Sequence, residues 1–114
     1  MLSFPEGAPV YLRTGITDMR KSINGLSAIV QDEMKLNPFN RGYFVFCGKT
    51  RHILKLLYWD NTGFALWYKR LEKAKFPWPE KAEEVRQITG EQITWLLSGI
   101  DFFKAHEKLQ FSRV

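Results

Sequence analysis

The chain has 114 residues, 45% of them hydrophobic and 15% aromatic, with a formal net charge of +5 and a pI near 9.5. That length sets a single domain, 1–114, with a modest core, and the composition excludes an intrinsically disordered chain. Cys47 is the only cysteine, which excludes an internal disulfide, and no run approaches the roughly 18 apolar residues of a membrane span.

The opening residues, MLSFPEGAPVYLR, carry neither a basic leader nor a long apolar run, so a cytoplasmic protein without membrane association is expected. The charge is unevenly spread. Residues 1–40 hold four basic and four acidic side chains, 41–76 hold eight and two, and 77–114 hold five and six. The excess belongs to the middle third, and a local basic excess favours an acidic partner.

In chain order, Val10-Tyr11-Leu12 is a short strand candidate after Pro9. Thr17 or Asp18 then caps a helix that carries Met19, Ile23, Leu26, Val30 and Met34 on one stripe, with Asn37-Pro38 as its stop. Arg20, Lys21, Asp32 and Glu33 fall off that stripe, as a solvated face would. Tyr43 to Cys47 reads as an apolar strand, and Gly48-Lys49-Thr50 turns the chain into Arg51–Asp60. Asp60-Asn61-Thr62-Gly63 is turn chemistry and returns it through Phe64–Leu71. Phe76-Pro77-Trp78-Pro79 has to be extended, because proline removes amide donors and restricts the residue before it. Glu80–Arg86 is a short helix candidate. Thr89-Gly90-Glu91-Gln92 fits a capping box opening a helix through Ile93, Leu96 and Leu97 that ends at Gly99. A helical turn and a terminal strand near Leu109–Phe111 are candidates in the tail. The expected fold class is α+β: an antiparallel meander of at least three strands packed on an N-terminal amphipathic helix, with short C-terminal helices.

The segment Lys49–Phe76 bears most on function. It contains seven Lys or Arg against Asp60 and Glu72. With a three-residue loop and Gly63 in the left-handed conformation, Lys55 pairs with Lys69 and Leu57 with Trp67. Leu54, Leu56, Tyr58, Phe64, Leu66 and Tyr68 then form a core face. Ile53, Lys55, Leu57, Trp59, Ala65, Trp67 and Lys69 form an amphipathic one. A bound anion would offset the cost of two facing lysines, as would a nearby carboxylate or solvent. Two other readings stay open. Trp59 and Trp67 pack beneath neighbouring segments while the lysines snorkel past them, or a two-residue loop puts Lys55 opposite Tyr68.

Catalytic motifs are missing. Gly48-Lys49-Thr50 resembles the end of a phosphate-binding loop, but that motif needs glycine where Tyr43 stands, and the intervening Phe-Val-Phe reads as strand. Cys47, His52 and His106 show no metal-ligand spacing, and neither a carboxylate cluster nor a serine nucleophile motif can be assigned. A non-enzymatic protein without cofactor or metal is expected.

The same residues carry a family resemblance. Tyr11-Leu12, the run Thr17 to Lys21, Asn37-Pro38-Phe39, Phe44-Val45-Phe46, Lys55 to Asp60, Gly63 to Leu71, Phe76 to Pro79 and Leu96 to Asp101 occur in this order. Together they resemble the small accessory protein of bacterial insertion sequences of family sixty-six, called TnpB or the second open reading frame product. That TnpB is distinct from the RNA-guided nuclease of the same name. The resemblance covers nearly the whole chain and is most specific from Trp59-Asp60 to Lys69-Arg70-Leu71. It implies a protein encoded beside a much larger transposase that carries the catalytic carboxylates, and it brings no active site with it.

Two roles in transposition are therefore expected. In one, the hairpin 49–75 binds DNA through Lys49, Arg51, Lys55, Lys69, Arg70, Lys73 and Lys75, with Trp59 or Trp67 stacking on an unpaired base. In the other, the same surface is an adaptor for the transposase or another accessory protein of the element, since Trp, Tyr and Arg are enriched at binding hot spots. Oligomeric state is not encoded legibly.

Overall fold

The computed structural model describes residues 3–80 and 85–99. Among the described residues the fold is α+β, with one five-stranded mixed sheet and two helices. Chain order is β1 (Val10–Arg13), α1 (Ile23–Asp32), β2 (Tyr43–Cys47), β3 (Ile53–Trp59), β4 (Phe64–Arg70), β5 (Val85–Ile88) and α2 (Gly90–Leu97). The sheet order is β4-β3-β2-β1-β5. β2, β3 and β4 pair antiparallel in succession, whereas β1 lies parallel to β2 with α1 as the crossover. The first helix thus follows a strand and does not open the fold.

β2 reads YFVFC, an apolar run without alternation, and it occupies the centre of the sheet. A strand covered on both faces has no polar side to present. Phe44 and Phe46 point to the α1 side, where they meet Leu26, Ile29, Val30, Met34 and Leu57. Val45 and Cys47 point the other way, joining Val10, Leu12, Leu54, Leu56, Phe76, Trp78, Ile88, Ile93, Leu96 and Leu97. Phe46 is fully buried, which at about 1.5–3 kcal/mol for such a side chain makes each face of this strand a substantial contributor.

Helix α1 departs from the sequence expectation at both ends. Its N-cap is Ser22, not Thr17 or Asp18, and Ser22 makes no side-chain capping bond. Asp18 instead closes a local turn, accepting from the Arg20 N–H at 2.9 Å and from the Arg20 guanidinium. Thr17 is tied to the sheet through its N–H on the Cys47 carbonyl at 2.8 Å. The Thr17 hydroxyl accepts from Arg13 Nη1 at 3.1 Å, so both side chains have local partners that compete with capping. The helix stops before Asn37-Pro38 because Lys35 takes a left-handed φ of 58°. The Met34 N–H then reaches the Ile29 carbonyl and the Leu36 N–H reaches that of Val30. Glu33, expected on a solvated face, pairs with Arg13 Nη2 at 2.7 Å.

Val85 and Arg86 are not helical: Val85–Ile88 is a strand antiparallel to β1. The period-two burial of Val10 and Leu12 beside it leaves β1 needing a hydrogen-bonded neighbour on that side, which outweighs a weak local helix propensity. Residues 81–84 of that expected helix, and the tail expectations from residue 100 onward, lie outside the described residues. Helix α2 forms as its sequence signature requires. Thr89 accepts from the Gln92 N–H at 3.1 Å and the Gln92 side chain accepts from the Thr89 N–H at 2.9 Å. Gly99, at φ 83°, ends it with its N–H on the Leu96 carbonyl.

Phe76–Pro79 runs extended beneath the sheet. The Trp78 indole N–H lies 2.8 Å from the Gly15 carbonyl and 3.1 Å from that of Arg13. The Gly15 N–H donates to the Pro79 carbonyl at 2.8 Å. This strap locks the 71–79 segment to the start of the chain.

Candidate nucleic-acid interface

The hairpin register corrects the sequence expectation. Asn61 adopts the positive φ, 80°, and Gly63 does not. A two-residue loop results, closed by the Asp60 N–H on the Gly63 carbonyl at 3.0 Å. Asp60 Oδ1 accepts from the Gly63 N–H at 3.1 Å and from the Thr62 hydroxyl at 3.2 Å. Asparagine tolerates this conformation better than most residues, and the aspartate supplies bonds that reward it.

Lys55 therefore pairs with Tyr68, Leu54 with Lys69, and Leu57 with Leu66. A one-residue slip exchanges every side chain of one strand between faces. Leu54, Leu56 and Tyr58 share a face with Ala65, Trp67 and Lys69, under α2 and the strap. Ile53, Lys55, Leu57 and Trp59 share the α1 face with Phe64, Leu66, Tyr68 and Arg70. The expected face bearing both lysines and both tryptophans does not exist. Lys55 Nζ donates to the Lys21 carbonyl at 2.8 Å on one side. Lys69 Nζ donates to the Leu97 carbonyl at 2.9 Å on the other, where a cation suits the C-terminus of α2.

The tryptophans also separate. Trp59 stands at the turn end of the hairpin, edge-on to Phe39 at 5.2 Å and to Phe64 at 5.1 Å between ring centroids. Trp67 packs against the α2-side core.

The cations, by contrast, converge on the opposite end of the hairpin. The β2–β3 turn brings Lys49 and Arg51 there, and the chain leaving β4 brings Arg70, Lys73 and Lys75. Three bonds fasten these two segments: Leu71 N–H to the His52 carbonyl at 2.8 Å, Phe76 N–H to the Arg51 carbonyl at 2.7 Å, and His52 Nδ1 with the Ala74 carbonyl at 2.9 Å. Lys55 and Lys69 leave the strands within the first rungs of the same end. Trp59 is about 20 Å away, six strand steps at roughly 3.3 Å.

Two of these cations carry counter-charges that the sequence did not reveal. Arg51 pairs with Glu80, and Arg70 Nε with Glu72 Oε1 at 2.9 Å, the carboxylate raising the guanidinium's proton affinity further. Lys49, Lys73 and Lys75 are exposed, with no hydrogen-bond partner among the described residues. Arg51 takes a positive φ of 62° in a turn whose Gly48 approaches Met19 closely; a Cβ there would lie 2.7 Å from Met19 Cγ. Gly48 thus lets the turn carrying Lys49 pack down on the chain. No group of His, Cys, Asp and Glu able to hold a metal occurs among the described residues, and none of their helices is long and apolar enough to cross a membrane.

The described residues thus form a small α+β fold with a tied-down cationic sheet end. The chain belongs to the IS66 Orf2-like protein family, whose profile matches residues 8–107. Uncharacterized protein y4hO of Sinorhizobium fredii strain NGR234 is 36% identical over 114 residues, spanning 100% of this chain and 99% of the relative. Uncharacterized protein y4jC of the same strain is 30% identical over 108 residues, spanning 95% and 92%. No solved structure matches the chain significantly. Family membership makes this an insertion-sequence accessory protein, a part of a mobile element's transposition apparatus.

Proposed function

We infer that the protein supports transposition without catalysing it, by gripping the DNA backbone at the basic end of its sheet. The observation that carries this reading is the convergence of Lys49, Arg51, Arg70, Lys73 and Lys75 on two segments fastened by three hydrogen bonds. Among the described residues, Glu72 and Glu80 are the carboxylates that pair with these five cations. A rigid cationic end favours phosphates because the like charges are already held together, so binding need not gather them. Lys55 and Lys69 add charge from either face, their ammonium groups tethered to carbonyls. The tryptophans take no part in this grip, and neither of the described helices offers the basic face needed to read a major groove.

Salt titration tests it. The full chain is bound to duplex DNA over a range of ionic strength, beside a variant with Lys49, Lys73 and Lys75 changed to Ala. The triple variant is expected to flatten the log–log slope by about 2.7, three phosphate contacts at roughly 0.9 each. Unchanged affinity and slope would refute the interface.

A second reading, an adaptor for the transposase, is favoured by the exposed Ile16, Phe39, Tyr68 and Trp95, since large apolar side chains on a surface suit a protein partner. Recovery of the transposase in a pull-down that survives nuclease treatment supports direct contact. Recovery lost on treatment assigns the link to DNA.

A further inference from the structure

Among the described residues, β4 is an edge strand. The hydrogen-bonded rungs are fixed at the two ends of its ladder by Asp60 N–H to the Gly63 carbonyl and Leu71 N–H to the His52 carbonyl. Antiparallel pairing alternates, so Ala65, Trp67 and Lys69 exchange bonds with β3, while the N–H and C=O groups of Phe64, Leu66, Tyr68 and Arg70 point away from it. No other described residue is hydrogen-bonded to them.

Protective devices are sparse along this edge. The strand is seven residues long, its register is unbroken, and it contains neither proline nor glycine. Its charges sit only at Lys69 and Arg70, at one end. Tyr68 is 51% exposed, and Phe39, 57% exposed, packs its ring 5.2 Å from that of Phe64. A row of unpaired main-chain groups flanked by exposed aromatics is a template for another strand.

We propose that β4 is a self-association edge, through which two copies of the chain pair antiparallel and join their sheets into one of ten strands. Charge selects the direction. Parallel pairing sets Lys69-Arg70 of both copies side by side, whereas antiparallel pairing parts them by about 20 Å, the length of the strand. Full overlap sets Phe64 opposite Arg70 and Leu66 opposite Tyr68 of the second copy, with Trp67 at the dyad. All four outward residues of each copy are then satisfied, in about eight main-chain bonds. Arg70 of one copy lies against the Phe64 and Phe39 rings of the other, a favourable seat for a guanidinium. The two basic sheet ends fall at opposite ends of the joined ribbon. The pairing holds whether or not those ends bind DNA.

The test is sedimentation of the full chain from about 1 to about 200 µM, a range that brackets micromolar dissociation constants. Mass is expected to rise toward twice 13.4 kDa. Tyr68→Pro, at an amide that makes no ladder bond, should hold the chain monomeric with its circular dichroism unchanged. Tyr68→Lys serves if the proline variant misfolds. Hydrogen exchange adds a positional signature: the Leu66 and Tyr68 amides should slow by about tenfold or more at high concentration, while Ala65, Trp67 and Lys69 stay slow throughout. A wild-type monomer over the whole range overturns the proposal. So does a dimer that persists in the folded Tyr68→Lys variant. Outward amides that are slow even in the monomer also overturn it, because residues 100–114 of the same chain would then occupy the edge.

Discussion

Replacing Trp78 by Phe should destabilise the protein by about 2–4 kcal/mol. The indole N–H is shared between the carbonyls of Gly15 and Arg13, and Trp78 is 7% exposed within the α2-side core. Losing the donor leaves a buried carbonyl dry, which costs about 1–3 kcal/mol. Because the Arg13 carbonyl is only part-buried and can recruit water, the penalty falls mainly on Gly15. Shrinking the ring system forfeits packing as well, by about 1 kcal/mol if the strap partly collapses. Urea unfolding followed by circular dichroism measures the change, and an unaltered m-value would show that the same structure is being lost. For a domain of this size the melting temperature should fall by about 8–16 °C. A loss below about 0.5 kcal/mol, the level of an ordinary surface substitution, would mean that the indole does not clamp the strap, and the argument for a rigid basic end would fail with it.

Thr89→Ala removes the hydroxyl that accepts from the Gln92 N–H, leaving the other half of the α2 capping box, and should cost about 1 kcal/mol in the same unfolding assay; no loss would mean that core packing alone sets the start of that helix. Cys47 is fully buried, and burial pushes its thiol up to about 12 from 9.0. Native protein should therefore react with a thiol reagent only as fast as it opens, and rapid labelling without denaturant would contradict the packing of β2. Because folding raises this pKa, the neutral thiol's contribution to stability is complete below pH 9 and is lost as pH rises from there through about 12. Cys47→Ala should flatten that alkaline decline, and an unchanged decline would assign it to other groups.

Much of the architecture is legible in the sequence. The capping box at Thr89, the stop at Gly99, the apolar run of β2 and the extended Phe76–Pro79 each follow from chemistry confined to a few neighbours. The family was legible too, from the motif series ending in Leu96 to Asp101. The start of α1 was not legible because Thr17 and Asp18 have good capping side chains, yet both are used by partners outside the helix: the Thr17 hydroxyl accepts from the Arg13 guanidinium, and the Asp18 carboxylate from Arg20. Val85 and Arg86 were misread because strand or helix there depends on β1, which lies more than seventy residues earlier in the chain.

The candidate interface divides the same way. Sequence alone determined that the middle third carries the positive excess and that a hairpin turns at Asp60–Gly63. It could not determine which face each lysine takes, since one left-handed residue, Asn61 in place of Gly63, shifts the register by one and exchanges the faces. Only the tertiary structure split Trp59 from Trp67, set Glu72 and Glu80 against two of the arginines, and drew 49–52 and 70–76 together at one sheet end. The physical reason is range. Turn and cap preferences are settled by bonds spanning two to four residues, whereas a charged surface is defined by which distant segments the backbone hydrogen bonds bring side by side.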